Sequence, residues 1–287
     1  MYTSIQAGAV SEVGTAESNP AVVEWFAVRL TKWYMDLVMD DGRVAIVSWA
    51  RLEGFGPVLT WSNRLTRRGL AVEDVKSTSP VGGPHHDGDV MQWSHAGLSF
   101  VGQWQRSSEP ITRRLHESQH GAILWECLMP RAIATMTIDG EILHGHGYTE
   151  RLTMTLRPWL LPIRNLRWGR FHSSTGGGVV WLEWNGSCPL SVVVCDGIEA
   201  SGAAIKDDVI ESGDWRLDLA CECVLRDGAI GSTALSGVPG LGRIAPIAML
   251  GTHEHKRLSR GIVSRHDGRI ERGWAIHEVV RFEGTRG

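Results

Sequence analysis

Asp139-Gly-Glu-Ile-Leu-His-Gly-His-Gly-Tyr-Thr-Glu150 aligns without a gap on Asp267-Gly-Arg-Ile-Glu-Arg-Gly-Trp-Ala-Ile-His-Glu278, and this pair of segments decides the fold. Five of the twelve positions are identical and a sixth exchanges Gly for Ala, giving D-G-x-I-x-x-G-x-[GA]-x-x-E. An Asp-Gly turn followed by a strand punctuated with glycine reads as the closing hairpin of a β unit. Its recurrence near the end of the chain predicts an internal duplication. An upstream pair agrees: Trp33 precedes Trp49, and Trp168 precedes Trp184, by the same 16 residues.

Working outward, short runs rich in Val, Ile and Trp end repeatedly at turn dipeptides. Trp33–Val38, Asp41-Gly42 and Val44–Trp49 form one such series; Val179–Trp184, Asn185-Gly186 and Leu190–Cys195 form another. Type I′ hairpins between half-buried strands explain the pattern, so the chain reads as antiparallel and all-β. Ile111–His120 is the best helical candidate, and Ser77–Asp89 and Ser232–Pro246 read as Gly/Pro loops. The expected organisation is a loose tail over 1–20, a β lobe over 21–155, a proline-containing linker over 156–166 and a second β lobe over 167–287. Trp159 in the linker is placed to seal the join between the lobes.

Composition narrows the function. A chain of 287 residues, 43% hydrophobic with net charge −3, is neither disordered nor collagenous. It has no Lys/Arg block, so no nucleic-acid footprint. No apolar run approaches the roughly 18 residues of a membrane span, and the start lacks the basic and apolar regions of a secretory leader. Five cysteines without a C-x-x-C pair read as reduced core residues, which points to the cytoplasm. The anomaly is tryptophan: 13 Trp against 5 Phe and 3 Tyr, a composition suited to core or to aromatic ligand walls.

The closing strand of the first copy carries the chemistry. Side chains two apart share a strand face, so His144, His146, Tyr148 and Glu150 line one face and Gly145, Gly147 and Thr149 the other. The second copy places Arg272, Trp274, Ile276 and Glu278 on the corresponding face. A row of ionisable groups is costly in a dry core, so the first face is either solvated or lines a functional cavity. Glu150 can then be structural, paired with an arginine such as Arg170, or catalytic. His144-x-His146-x3-Glu150 also resembles half of a cupin metal motif, but the second half is missing. No G-x-S-x-G elbow, Walker loop or Rossmann fingerprint is present.

Lys32-Trp-Tyr-Met-Asp36 followed by Asp41-Gly-Arg43, together with Gly145-His-Gly-Tyr-Thr-Glu150, resembles the family of carotenoid 1,2-hydratase (hydroxyneurosporene synthase) and the AttH lipocalin-like proteins. That family opens with an E-W-W-Y-F-like strand and D-G-R, and closes its first lobe with G-x-G-Y-x-[DE]. The family motif then continues H-N-W-G, whereas here Arg151-Leu-Thr follows and Trp168-Gly169 comes only after an inserted stretch. The resemblance implies two lipocalin-like barrel or sandwich lobes. It implies water addition to isoprenoid double bonds or, as in fungal relatives, Diels–Alder cyclisation, both without a cofactor or metal. It also implies active-site roles for Tyr148 and Glu150.

The expected site follows. Glu150 is the acid/base, with Tyr148 and His146 as donors or orienters. Trp33, Trp93, Trp168 and Trp274 form the walls, Tyr34 and Asp36 hold a polar end, and His144 lies alongside. The expected partner is a hydrophobic small-molecule substrate. The alternative from a different class is a non-catalytic carrier, which needs the apolar pocket but no perturbed carboxylate.

Overall fold

In the computed structural model the described residues are 28–157 and 160–282; the expected tail over 1–20 and Trp159 lie outside them. The first sheet opens with β1 (Arg29–Val38), β2 (Val44–Glu53), β3 (Leu59–Arg68) and β4 (Ala71–Ser77). It continues with β5 (His85–Asp87), β6 (Val90–His95), β7 (Phe100–Arg106), β8 (Ile111–Ser118), β9 (Gly121–Ile138) and β10 (Glu141–Met154). The second sheet opens with β11 (Ile163–Ser173), β12 (Gly178–Gly186), β13 (Leu190–Cys195) and β14 (Ile198–Glu199). It continues with β15 (Ala204–Ile205), β16 (Val209–Ser212), β17 (Trp215–Ala229), β18 (His253–Arg265) and β19 (Ile270–Arg281). Two single-turn helices, α1 (Leu241–Ile244) and α2 (Ile247–Leu250), lie in the segment between β17 and β18.

Both sheets are antiparallel and follow the same path. The first runs β4-β3-β2-β1-β10-β9-β7-β6-β5, with β8 added to β9. The second runs β14-β13-β12-β11-β19-β18-β17-β16-β15. First strand and last strand are neighbours at the centre of each, so the duplication is visible strand by strand. Each sheet wraps its own apolar interior. Trp33, Met35, Leu37, Trp49, Trp93 and Trp104 belong to the first interior, and Phe171, Trp181, Trp215 and Leu217 to the second. A third core, with Tyr34, Tyr148, Trp125, Trp168, Trp184, Trp274 and Ile276, lies where the two sheets press together. The central strands are therefore buried on both faces, and β1 is covered throughout Trp33–Val38.

The register explains the repeated glycine. A Cβ on Gly145 would stand 2.3 Å from the carbonyl oxygen of Val38, and one on Gly273 would stand 1.9 Å from that of His172. The two carbonyls belong to equivalent residues of β1 and β11, since Val38 opposes His146 and His172 opposes Trp274. One close backbone approach has thus been kept in both copies.

Register also corrects the tryptophan pairing. Tyr34 opposes Glu150 on β10, while Trp168 opposes Glu278 on β19. Trp168 therefore matches Tyr34, not Trp33, and Arg170 matches Asp36. A slip of one residue exchanges the faces of a strand, so Trp33 points into its own lobe and Trp168 into the seam. Three other expectations change. Ile111–His120 holds β8 and the turn after it rather than a helix, because the spacing of Ile111 and Leu115 satisfies period two as well as a helical turn, and pairing with β9 decides. Asn185-Gly186 continues β12 rather than turning, paired with Asn165 and Ile163 of β11. The loop over Ser77–Asp89 includes the short strand β5, and Ser232–Pro246 includes α1.

Candidate functional site

The seam between the sheets is built from β1 and β10 on one side and β11 and β19 on the other. At its centre Asp36 and Arg170, the equivalent residues of the two copies, face each other. Arg170 Nε donates to Asp36 Oδ2 at 3.1 Å and Nη2 donates to Oδ1 at 2.5 Å, and both side chains are fully buried. Burial pushes the Asp36 carboxyl up against the pull of the guanidinium. Asp36 also accepts at its backbone carbonyl from Trp104 Nε1 at 2.8 Å, which fastens β1 to the interior of its lobe.

On one flank of this pair sits Glu150. Its Oε2 accepts from the Tyr148 hydroxyl at 2.6 Å, Trp125 Nε1 at 2.6 Å and Trp168 Nε1 at 3.1 Å. The ring of Trp168 packs edge-on to Tyr148 at 5.5 Å and to Tyr34 at 4.9 Å. Burial among these rings raises the Glu150 carboxyl, against the three donors and the charge of Lys32. With Oε2 engaged by all three donors, an acid proton falls to Oε1. Burial also raises Tyr148 well above an ordinary phenol, so it stays a donor.

On the other flank sits Glu278, the partner of Glu150 in the duplication. Its Oε2 accepts from Lys256 Nζ at 2.5 Å, and Glu254 approaches the same ammonium at 3.4 Å. Lys256 and Glu254 are buried. Burial pulls the Lys256 ammonium down, but Glu278 and Glu254 outweigh it and leave it raised. Burial pushes Glu278 up, but the Lys256 and Lys32 charges overrule it and leave it lowered. Lys256 Nζ also lies 5.1 Å from the centre of the Tyr34 ring, a cation–π contact.

This second flank is hollow. A cavity of about 260 Å³ opens between the sheets, walled by Ile46, Leu65, Trp61, Leu241 and Met249 and floored by Tyr34, Lys256, Glu254 and Glu278. The segment between β17 and β18 roofs it: Leu241 and Ala245 pack with Leu52 and Val28 of the first lobe. The polar groups that floor this cavity are replaced on the Glu150 flank. The position of Lys256 is taken there by Cys127 and that of Glu254 by Trp125, judged from register, and Trp125 and Trp184 fill the core.

The anticipated residues separate accordingly. Glu150, Tyr148 and Trp168 form one hydrogen-bonded cluster, and Asp36 lies beside it in the central ion pair. Arg170 pairs with Asp36 rather than with Glu150. Tyr34 bridges cluster and cavity. His146 and Trp274 line a separate recess of about 380 Å³ with His172, Arg260 and Arg272. Burial and the charges of Arg131 and Arg170 hold the His146 imidazole below its ordinary value. His144 is exposed and meets the Thr135 hydroxyl at 3.0 Å. Trp33 and Trp93 fall outside the seam because their strand positions face the interior of the first lobe; Trp93 Nε1 donates to Gly82 O at 3.0 Å. Among the described residues no three His, Cys, Asp or Glu side chains converge as a metal site. A wider recess of about 870 Å³, lined by Arg131, Gly176, Gly177 and Glu271, contains none of the anticipated residues. Lys256, Glu254 and the roof were not anticipated. Glu278 carried a readable signal, its alignment with Glu150.

Among the described residues no helix is long and apolar enough to cross a membrane. No family model and no curated protein matches the chain by sequence. Solved structures do match. Kievitone hydratase from Nectria haematococca superposes with TM-score 0.54 at 11% identity, covering 94% of this chain and 93% of its own. CghA with Sch210972 gives 0.53 at 12% identity, covering 89% of each chain. An AttH-like protein from Nitrosomonas europaea gives 0.54 at 8% identity, covering 92% of this chain and 97% of its own. At these identities the likeness is one of architecture: the chain has the two-sheet, all-β fold of kievitone hydratase, CghA and the AttH-like protein.

Proposed function

We propose that this chain is a biosynthetic enzyme that acts without a resident cofactor on a hydrophobic small molecule, isoprenoid- or polyketide-like, held in the seam cavity. The supporting observation is the cavity itself, where apolar walls from both lobes meet a buried Lys256–Glu278 pair. A hydratase among the proteins of this fold is in keeping with a lyase, and cyclisation is the other reaction the cavity suits.

The state of the pair favours carbonyl activation. The Lys256 ammonium stabilises negative charge developing on a substrate carbonyl oxygen. Ionised Glu278 takes the proton α to that carbonyl. In a dehydration Glu278 then returns the proton to the departing hydroxyl, so water is lost and the protein ends unchanged. In a cyclisation the same ammonium draws electron density from a conjugated carbonyl, the cavity holds the reacting ends together, and no net proton moves. Direct protonation of an alkene needs a neutral acid instead. Glu150 is the carboxyl raised toward that state, and its cluster lies against Tyr34 rather than in the cavity wall.

The test is incubation with a panel of linear polyenes bearing a conjugated carbonyl, followed by mass spectrometry. Gain or loss of water identifies a hydro-lyase, and an unchanged mass with altered retention identifies a cyclase. Recovery of every bound compound unchanged overturns the enzyme reading in favour of a carrier.

A further inference from the structure

The polar groups around the cavity are nearly all spoken for. Arg226 reaches Asp74 at 3.2 Å and Glu254 at 3.5 Å, and Lys256 is held by Glu278 and Glu254. Ser48 donates to Asn63, and Asn63 Nδ2 donates to Asp74 at 3.4 Å. Thr252 is engaged with the carbonyl of Ala248. The exceptions are the buried Tyr34 hydroxyl, which finds no hydrogen-bond partner among the described residues, and Lys32. Lys32 lines the cavity, is solvent-exposed, and among the described residues its side chain forms no hydrogen bond or ion pair. An exposed residue that also lines the cavity stands at its mouth.

The charges agree with this. Of the cations lining the cavity, Arg226 is paired with Asp74 and Glu254 and Lys256 with Glu278 and Glu254, so Lys32 is the one whose ammonium holds no ion pair. The fold does not require it, because the equivalent position on β11 is Leu166, which lines the same cavity. Lys32 acts electrostatically on both Glu150 and Glu278, so it stands beside the acidic pair of the seam.

We infer that the cavity takes an amphipathic ligand carrying a single oxyanion, which Lys32 receives at the mouth while the apolar body extends inward to Leu65, Leu241 and Met249. This rests on the reading of the cavity as the substrate site and adds the charge of the substrate. A carboxylate or an acidic enol meets the requirement; a pure hydrocarbon does not. Recognition by one partly solvated lysine adds modest affinity but fixes which end enters first.

The test uses two fluorescent probes with the same ring system, anilinonaphthalene sulfonate with one negative charge and phenylnaphthylamine with none. The native protein is expected to bind the sulfonate about fivefold more tightly relative to its neutral twin than K32Q does. K32R is expected to restore the preference, and added salt to weaken it. Ala234→Trp, which fills the cavity from the roof, is expected to expel both probes. A charge preference that survives in K32Q, or no preference in the native protein, overturns the inference while leaving the cavity reading intact. Binding of both probes undiminished by Ala234→Trp overturns the cavity reading itself.

Discussion

Glu150 and Glu278 occupy the same position in two copies of one fold and have opposite surroundings. Glu150 is boxed in by two indoles and a phenol, and its carboxyl is raised. Glu278 is ion-paired with a buried lysine, its carboxyl is lowered, and it faces a cavity. The duplicated strand position supplies the carboxylate in both cases. Its state is set by its surroundings: burial among the indoles and phenol raises Glu150, and Lys256 across the hairpin lowers Glu278. Duplication therefore produced two flanks whose matching carboxylates are in opposite states.

The central ion pair gives the largest test of that division. Asp36→Ala leaves the Arg170 guanidinium buried and unpaired and is expected to cost about 3–5 kcal/mol in urea unfolding. Asp36→Leu combined with Arg170→Met is expected to recover most of that loss. If the single variant is as stable as the native chain, the seam is not organised around this pair.

The next test sets the carboxylates against each other. Glu278→Gln is expected to lower turnover by about a hundredfold or more. Glu150→Gln is expected to keep turnover within about threefold and to cost about 1 kcal/mol of stability, since the amide oxygen still accepts from the three donors. The reverse result moves the chemistry to Glu150 and restores alkene protonation.

A third test addresses the equivalence of the copies. Gly145→Ala and Gly273→Ala each drive a methyl group into a backbone carbonyl and are expected to cost about 1–3 kcal/mol each by chemical denaturation. A large difference between the two would show that the match read from the repeated motif is not a match of packing.

Much of this was legible in residues 139–150 and 267–278. Their alignment located the last hairpin of each lobe, the shared glycine and the shared glutamate, because a close backbone approach and a strand register leave marks in local sequence. The tryptophan spacing misled by one position, since a 16-residue interval is kept whether the first residue faces the seam or the lobe interior. Lys256 was illegible because its partnership with Glu278 is a cross-strand contact, set by hairpin register rather than by any motif. The cavity was illegible for a broader reason. Its roof comes from the second lobe and its far wall from the first, and only tertiary packing brings Leu241 to Leu52.

The smallest test concerns pH, where the two glutamates should have opposite signs. Glu150 has a raised carboxyl, so the folded state holds its proton more tightly than the unfolded chain does. Its contribution is full below the ordinary value of 4.5 and is lost as pH rises through the shifted value. Glu278 is lowered, so its contribution is present above 4.5 and is lost as pH falls. The stability difference between the native chain and E150Q should shrink with rising pH, and that between the native chain and E278Q with falling pH, each by about 1 kcal/mol or less. Parallel slopes would erase the distinction between the flanks.

The Asp36–Arg170 contact has a consequence for assembly. The two residues are the same position in two related lobes, so a lobe meeting a second copy of itself through this surface would bury aspartate against aspartate or arginine against arginine. Such a contact costs several kcal/mol. The pair acts as a lock and key within one chain: it admits first lobe to second and rejects like to like. Two first lobes, or two second lobes, of neighbouring chains are thereby kept from packing on each other through this surface.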